Sequence, residues 1–414
     1  MFRGWLALGD REIANSSRVV ALADPAGLPA TDTEGFAAEA CAPCRNLAVG
    51  RDDSWPGLRA YLADPPYTDI TTAPWYDGTD TSREFLGVWV MSADGFDGIP
   101  VSRDISDAVC SGGVASVHRD SYRTLSFSAL VWGCTHRGAR HGLRWLNCQL
   151  RAARAPQILR YLDAHPEQFT ADGLERSMRQ VVLTQPAVVR EVAGLPIGNH
   201  QQASMFRVEF ELVALDPYPW TAATTHPVTW DTQDVHTIEW AHAPDCVDAT
   251  CELPVLLSTQ CPPQTIDTRP APIPVCGGCL PVCEIDTRTW QLDLTDVADC
   301  DLVAASIQVT AGTVSDTTVR FWWRPCGSTD ICDETGQLQI TGLPAGQTVV
   351  ADSVEGRSYG LVSGQRVRQR GIVATPSGAP WHGTLLRPGC WELIAQSEPG
   401  ITYTVSVDTI GRPA

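Results

Sequence analysis

The chain has 414 residues, 43% of them hydrophobic and 19% charged, with 34 Gly and 30 Pro, a composition that excludes a wholly disordered chain and provides apolar material for two or three cores. Acidic residues outnumber basic ones by 48 to 30, the net charge is −18, and arginine supplies all 30 basic residues. This balance disfavours a general phosphate-binding surface. No run approaches the roughly 18 continuous apolar residues of a membrane span, and Met1 to Trp5 open without the apolar core of a secretion signal. Synthesis and folding in the cytoplasm, without membrane insertion, are therefore expected.

Phe2, Trp5, Leu6 and Leu8 precede the turn signal Gly9-Asp10, and Ile13 to Val20 resume the strand pattern, so the chain opens on a predicted hairpin. Residues 24–82, rich in Asp, Pro, Thr and Gly, read as long loops with short strands. Phe85 to Met91 and Ile99 to Ile105 flank a doubled Asp-Gly (Asp94-Gly95 and Asp97-Gly98), which favours positive-φ turns and predicts that the two runs pair. Arg123 to Trp132 forms a further strand. Leu143, Leu146 and Leu150 recur at helical spacing, and beyond Pro156 the set Ile158, Leu159 and Leu162 repeats it, so two helical pieces broken at the proline are expected. The cleanest alternation lies at 206–214, with Phe206, Val208, Phe210 and Leu212 on one face and Arg207, Glu209 and Glu211 on the other. Asp216-Pro217-Tyr218-Pro219 ends this strand and marks a domain boundary.

Residues 221–285 read as an acidic, Cys- and Pro-rich linker or insert. Residues 221–318 hold 14 acids against 2 Arg, whereas residues 1–220 hold 26 against 20. Pro262, Pro263, Pro270, Pro272 and Pro274 favour extended backbone there. Eight short strands follow, Trp290 to Leu294, Ala304 to Val309, Val319 to Trp323, Gln337 to Ile340, Thr348 to Asp352, Ile372 to Ala374, Cys390 to Ala395 and Ile401 to Val407. The expected fold class is thus mainly β. Residues 1–220 form an α+β, barrel- or sandwich-like domain with a helix, and residues 286–414 an antiparallel β-sandwich of jelly-roll or galectin-like kind.

Candidate chemistry is sparse. Cys261, Cys276, Cys279 and Cys283 place four thiols in a short window around a C-x2-C spacing that suits a structural zinc, set against loop cross-links or free thiols. Cys41 and Cys44 read as a loop staple, because no βαβ pattern surrounds them. Cys134, His136, His141 and Cys148 run from a strand end into a helix and need not converge, and Asp293, Asp296, Asp299 and Asp301 read as a solvated loop. No nucleophile elbow and no H-E-x-x-H is present, and no enzyme or cofactor is expected. Trp381 and Trp391 are the candidates for stacking on a saccharide, set against ordinary core roles.

Several runs together resemble the distal or minor tail proteins of long-tailed bacteriophages (siphoviruses) that infect actinobacteria. They are residues 4–18 (GWLALGDREIANSSR), Gly87 to Val90 with Ile99 to Arg103, Arg123 to Phe127, Phe206 to Leu212 leading to Asp216-Pro217, and Leu386 to Trp391. The resemblance implies a virion protein of the tail tip, made in the host cytoplasm. Residues 1–220 would be a belt domain, six copies of which close into a ring between the tail tube protein and the baseplate hub or fibre proteins. DNA would pass through without specific binding, and the C-terminal sandwich would project outward. An alternative within the family is a minor tail protein whose C-terminal module reads a cell-wall glycan. The edge of the strand carrying Phe206, Val208, Phe210 and Leu212 is the expected ring interface, by lateral pairing. The acidic insert departs from the family pattern.

Overall fold

Period-two alternation and glycine-punctuated turns make most of the described residues into antiparallel strands, and the fold is mainly β. The computed structural model describes residues 4–23, 69–107, 111–163, 174–192, 195–196, 204–238, 283–313, 316–329, 333–369, 371–376 and 379–413. It divides into two units, Met1–Ala222 and Ala223–Ala414.

The first unit contains β1 (Trp5–Leu8), β2 (Arg11–Asn15), α1 (Ser16–Ala23), α2 (Asp80–Arg83), β3 (Phe85–Asp94), β4 (Val101–Ser102), β5 (Ile105–Asp107), β6 (Gly113–Ala115), β7 (Arg119–Asp120), β8 (Arg123–Gly133), α3 (His136–Leu150), β9 (Gln157–Leu162), β10 (Glu175–Val192), β11 (Leu195–Pro196), β12 (Met205–Ala214) and β13 (Trp220–Thr221). The main sheet runs β2-β1-β9-β10-β12-β8-β3, with β11 and β13 on β10. Both β2 and α1 pack against β3, so the two ends of this order come together. That closure depends on Gly87 (φ +132°), where a Cβ would lie 2.7 Å from Val19 Cγ2 and 3.0 Å from the Trp75 ring.

The register of β12 against β8 is unbroken from Met205↔Trp132 to Ala214↔Arg123. It places Phe210 directly opposite Phe127, with the rings stacked 4.7 Å apart at 12°, an arrangement that adds about 0.5–1.5 kcal/mol beyond area burial. The opposite face carries Arg190 with Glu209 at 2.8 Å and Arg207 with Glu191 at 3.3 Å.

Three sequence expectations are corrected in this unit. Ile13 to Val20 does not stay a strand: the Asn15 side chain accepts from Arg18 N (3.1 Å), and α1 starts at Ser16. Phe85–Met91 does not pair with Ile99–Ile105, because β3 pairs with β8, while β4 pairs with β7 and β5 with β6. Ile158, Leu159 and Leu162 lie on a strand rather than a helix. The chain leaves Pro156 extended, β9 pairs with both β1 and β10, and alternation buries Leu159 and Tyr161 while Ile158 stays exposed. A run of six residues satisfies both periods, and pairing on two edges decides between them.

The second unit has β14 (Thr224–Pro227), β15 (Thr232–Ile238), β16 (Cys283–Asp293), β17 (Asp301–Ala311), β18 (Thr317–Pro325), β19 (Thr335–Leu343), β20 (Thr348–Asp352), β21 (Arg357–Val362), β22 (Gln365–Val367), β23 (Val373–Ala374), β24 (Leu385–Leu386), β25 (Cys390–Ser397) and β26 (Tyr403–Pro413). One sheet runs β14-β26-β17-β20-β21-β22 with β24 on β17, the other β15-β16-β25-β18-β19-β23. Phe321, Trp323, Leu338, Ile340 and Leu393 from the second sheet share one core with Ile307, Val309, Val349, Val405 and Val407 from the first. The unit begins before the sequence-based boundary, since β14 and β15, read as linker, pair with β26 and β16.

Replacing Phe210 with Ala should destabilise the first unit by about 3–5 kcal/mol, because the cavity opens where the sheet is most tightly paired. Urea denaturation monitored by circular dichroism tests this, and a change under about 1 kcal/mol would contradict the packing described.

Candidate interaction surfaces

Between β3 and β8 the chain makes an excursion as two successive two-stranded ladders, β4 with β7 and β5 with β6. Every described residue from Val101 to Asp120 is exposed, including Val101, Ile105, Val114 and Val117, of which Ile105 reaches 77%. The ribbon therefore has no core of its own. Isolated two-stranded ribbons are marginal in water, so its base matters.

That base is built on Arg123, which is 1% exposed. Its Nε donates to Pro217 O (2.8 Å), and Nη1 donates to Gly95 O (2.9 Å) and Asp97 O (3.3 Å). One guanidinium thus ties the start of β8 to both the root of the ribbon and the turn after β12, and burial pushes its pKa down from the usual arginine value. Tyr218 on that same turn bonds Asp120 at the end of the ribbon.

The second surface is α3. Thr135 caps it by accepting from Gly138 N (3.1 Å), and Glu84 accepts from Thr135 Oγ1 (2.6 Å) and from the Arg137 guanidinium. These bonds, Arg137 foremost, hold the Glu84 carboxyl below its usual pKa. Gly142 lets the helix lie on Phe85, whose ring would stand 2.2 Å from a Cβ there. Leu146 and Leu150 face the core, and at the far end Asn147 bonds both the N and O of Ala187 while Gln149 accepts from Arg11. The outer face carries Arg140, Arg144 and Arg151, and the turn Arg151–Arg154 adds Arg154; all four are exposed. Offsets of four and seven put the first three on one stripe. Arg137 is taken by Glu84, but among the described residues these four arginines have no carboxylate partner. Ala152, Ala155, Pro156 and Ile158 are exposed beside them.

Sequence reasoning passed over both surfaces, although one signal was available: between Asp120 and Asp163 the chain holds seven arginines and no acid.

The sequence-predicted site residues fare differently. Phe206, Val208, Phe210 and Leu212 are buried at 3%, 0%, 2% and 0%, on a strand flanked by β10 and β8. With both edges paired, β12 offers no backbone for lateral ring contacts, and that expectation is corrected. Trp381 is 7% exposed within the sandwich core, so its faces cannot stack on a sugar. Trp391 is half-buried and donates its indole N–H to Arg387 O (2.8 Å). Cys261, Cys276 and Cys279 lie outside the described residues, as do Cys41 and Cys44; Cys283 opens β16. Cys134 and Cys148 sit near opposite ends of α3, about 20 Å apart at 1.5 Å per residue. Among the described residues no group of His, Cys, Asp or Glu is placed to hold a metal, and no helix is long and apolar enough to cross a membrane. Asp293 is engaged in its own turn by Thr295, which lowers its pKa. A disulfide joins Cys326 to Cys390 across 64 residues.

Two outcomes follow from the clamp and the cap. Arg123→Met should orphan the buried Pro217 carbonyl at a cost of about 1–3 kcal/mol and speed proteolytic cutting of the ribbon; unchanged cutting would contradict the clamp. The depressed Glu84 pKa means that its contribution is complete above the ordinary glutamate value of 4.5 and is lost as pH falls through the lower folded value. Glu84→Gln should therefore lower stability at neutral pH and narrow its gap from the parent chain in acid, as thermal melts across pH would show.

No protein-family profile matches the chain, and no curated protein matches it. Solved structures similar to it include the Dit (gp 19.1) protein of phage SPP1, described as a paradigm of the hub adsorption apparatus in phages infecting Gram-positive hosts. It shares 13% identity over 81% of this chain and 97% of that one, with a TM-score of 0.42. Chains of the phage p2 baseplate in its activated conformation, with Sr and with Ca, share 10% and 9% identity. Each match covers 78% of this chain and 90% of the other, with TM-scores of 0.39.

Proposed function

We propose that this chain is a structural protein of a bacteriophage tail tip, a distal tail adaptor. Six copies form a ring that joins the tail tube protein to the hub or fibre proteins of the baseplate and lets DNA through. The observation that carries this reading is where the family-like runs fall. Residues 4–18 make β1, β2 and the start of α1, Gly87 to Val90 lie in β3, Arg123 to Phe127 in β8 and Phe206 to Leu212 in β12. Strands β12, β8 and β3 are consecutive neighbours in one sheet. Ile99 to Arg103 reach into β4 and Leu386 to Trp391 run from β24 into β25, so most of the family-like runs lie in the sheet scaffold of the first unit. The charge of −18 suits the role, because DNA is retained only where phosphates are neutralised.

Mass photometry and negative-stain electron microscopy of the purified full chain test the proposal. Closed rings with sixfold averages are expected, and a species that stays monomeric at the highest soluble concentration would rule the adaptor out.

A further inference from the structure

The two bare surfaces of the first unit are opposite in character. From Asp94 to Asp120 the ribbon and its root carry five aspartates and two arginines, a net of −3, alongside Val101, Ile105, Val114 and Val117. The α3 stripe carries Arg140, Arg144, Arg151 and Arg154, a net of +4, beside Ala152, Ala155, Pro156 and Ile158. Each offers apolar area framed by charge of one sign. Because every described ribbon residue is exposed, the ribbon does not lie on the stripe of its own chain.

We propose that the ribbon of one copy docks on the arginine stripe of the next, and that this contact is the joint of the assembly. Burial of the ribbon's valines and Ile105 provides the association energy, and Asp104 and Asp107 meeting Arg140 and Arg144 fix the partner and the register. The contact joins two different patches of one surface, so it is heterologous and propagates head to tail until the ring closes. The inference rests on the ring reading above and adds the residues that make it.

The test uses the full chain and two charge-reversal variants, Asp104→Arg with Asp107→Arg on the ribbon, and Arg140→Asp with Arg144→Asp on the helix. All four positions are exposed, so thermal midpoints should stay with the parent chain. Each variant alone should weaken self-association at least about tenfold by sedimentation velocity, since like charges then face each other. Mixed in equal amounts, the two should associate again, because each ribbon then finds a stripe of opposite sign on the other variant. Neither misfolding nor a shift in total charge produces that recovery. If the parent chain assembles and both variants assemble as well as it does, the ribbon-to-stripe joint is wrong while the ring stands. If the variants dissociate and the mixture stays apart, the pairing is likewise overturned. A parent chain that never assembles removes the ring reading itself.

Discussion

The unbroken register between β12 and β8 is the constraint on which the first unit is built. Ten consecutive pairs leave no bulge to absorb a slip, and a shift of one residue would turn Phe206, Val208, Phe210 and Leu212 towards solvent. Everything else is laid out from that pair. On one side β10 follows β12 with three irregularities, and on the other β3 follows β8 with two. Irregular strands bend and twist more strongly, and the sheet curls until β2 and α1 reach β3 at Gly87. The helix α3 then lies on the sheet, leaving its charged side as surface.

Charge is sorted in the folded chain as it is along the sequence. In β12 the polar positions find cross-strand partners, with Glu209 on Arg190 and Arg207 on Glu191, so that face is settled within the chain. The outer side of α3 is the opposite case. In a protein of net charge −18, a helix with arginines and no acid forgoes the i,i+4 pairs that would stabilise it locally. Its stability comes instead from Leu146 and Leu150 in the core, the Thr135 cap, the Glu84 contacts and the Asn147 bonds to Ala187. Such an arrangement leaves the arginines available to something else.

Much of this was legible in the sequence where a local rule determined the outcome. The eight strands read after residue 286 all occur, because short alternating runs between Gly-Pro turns have few other ways to bury one face. The opening hairpin and Leu143, Leu146 and Leu150 on α3 follow from the same logic. The errors share a different cause. Residues 158–162 and the partner of β3 were decided by non-local pairing, which a window of sequence does not contain. Trp381 was assigned by residue type, whereas its burial comes from the closing of two sheets over it. The edge assigned to β12 failed because alternation reveals which face is buried and says nothing about how many neighbours a strand has. Ile99 to Ile105 reads as the return strand of a hairpin with β3, since nothing local distinguishes such a strand from the start of an arm.

An arm whose described residues are all exposed has a consequence for how this chain can change. Substitutions at exposed positions usually change stability by less than about 0.5 kcal/mol, so the described arm residues away from the Tyr218–Asp120 contact can be rewritten while the sheet beneath stays as it is. Recognition between copies is then a separate trait from the fold, free to drift in matched pairs of arm and helix. If the proposed joint holds, two chains with the same scaffold but different charge patterns would exclude each other when made together, and mixed assemblies would not form.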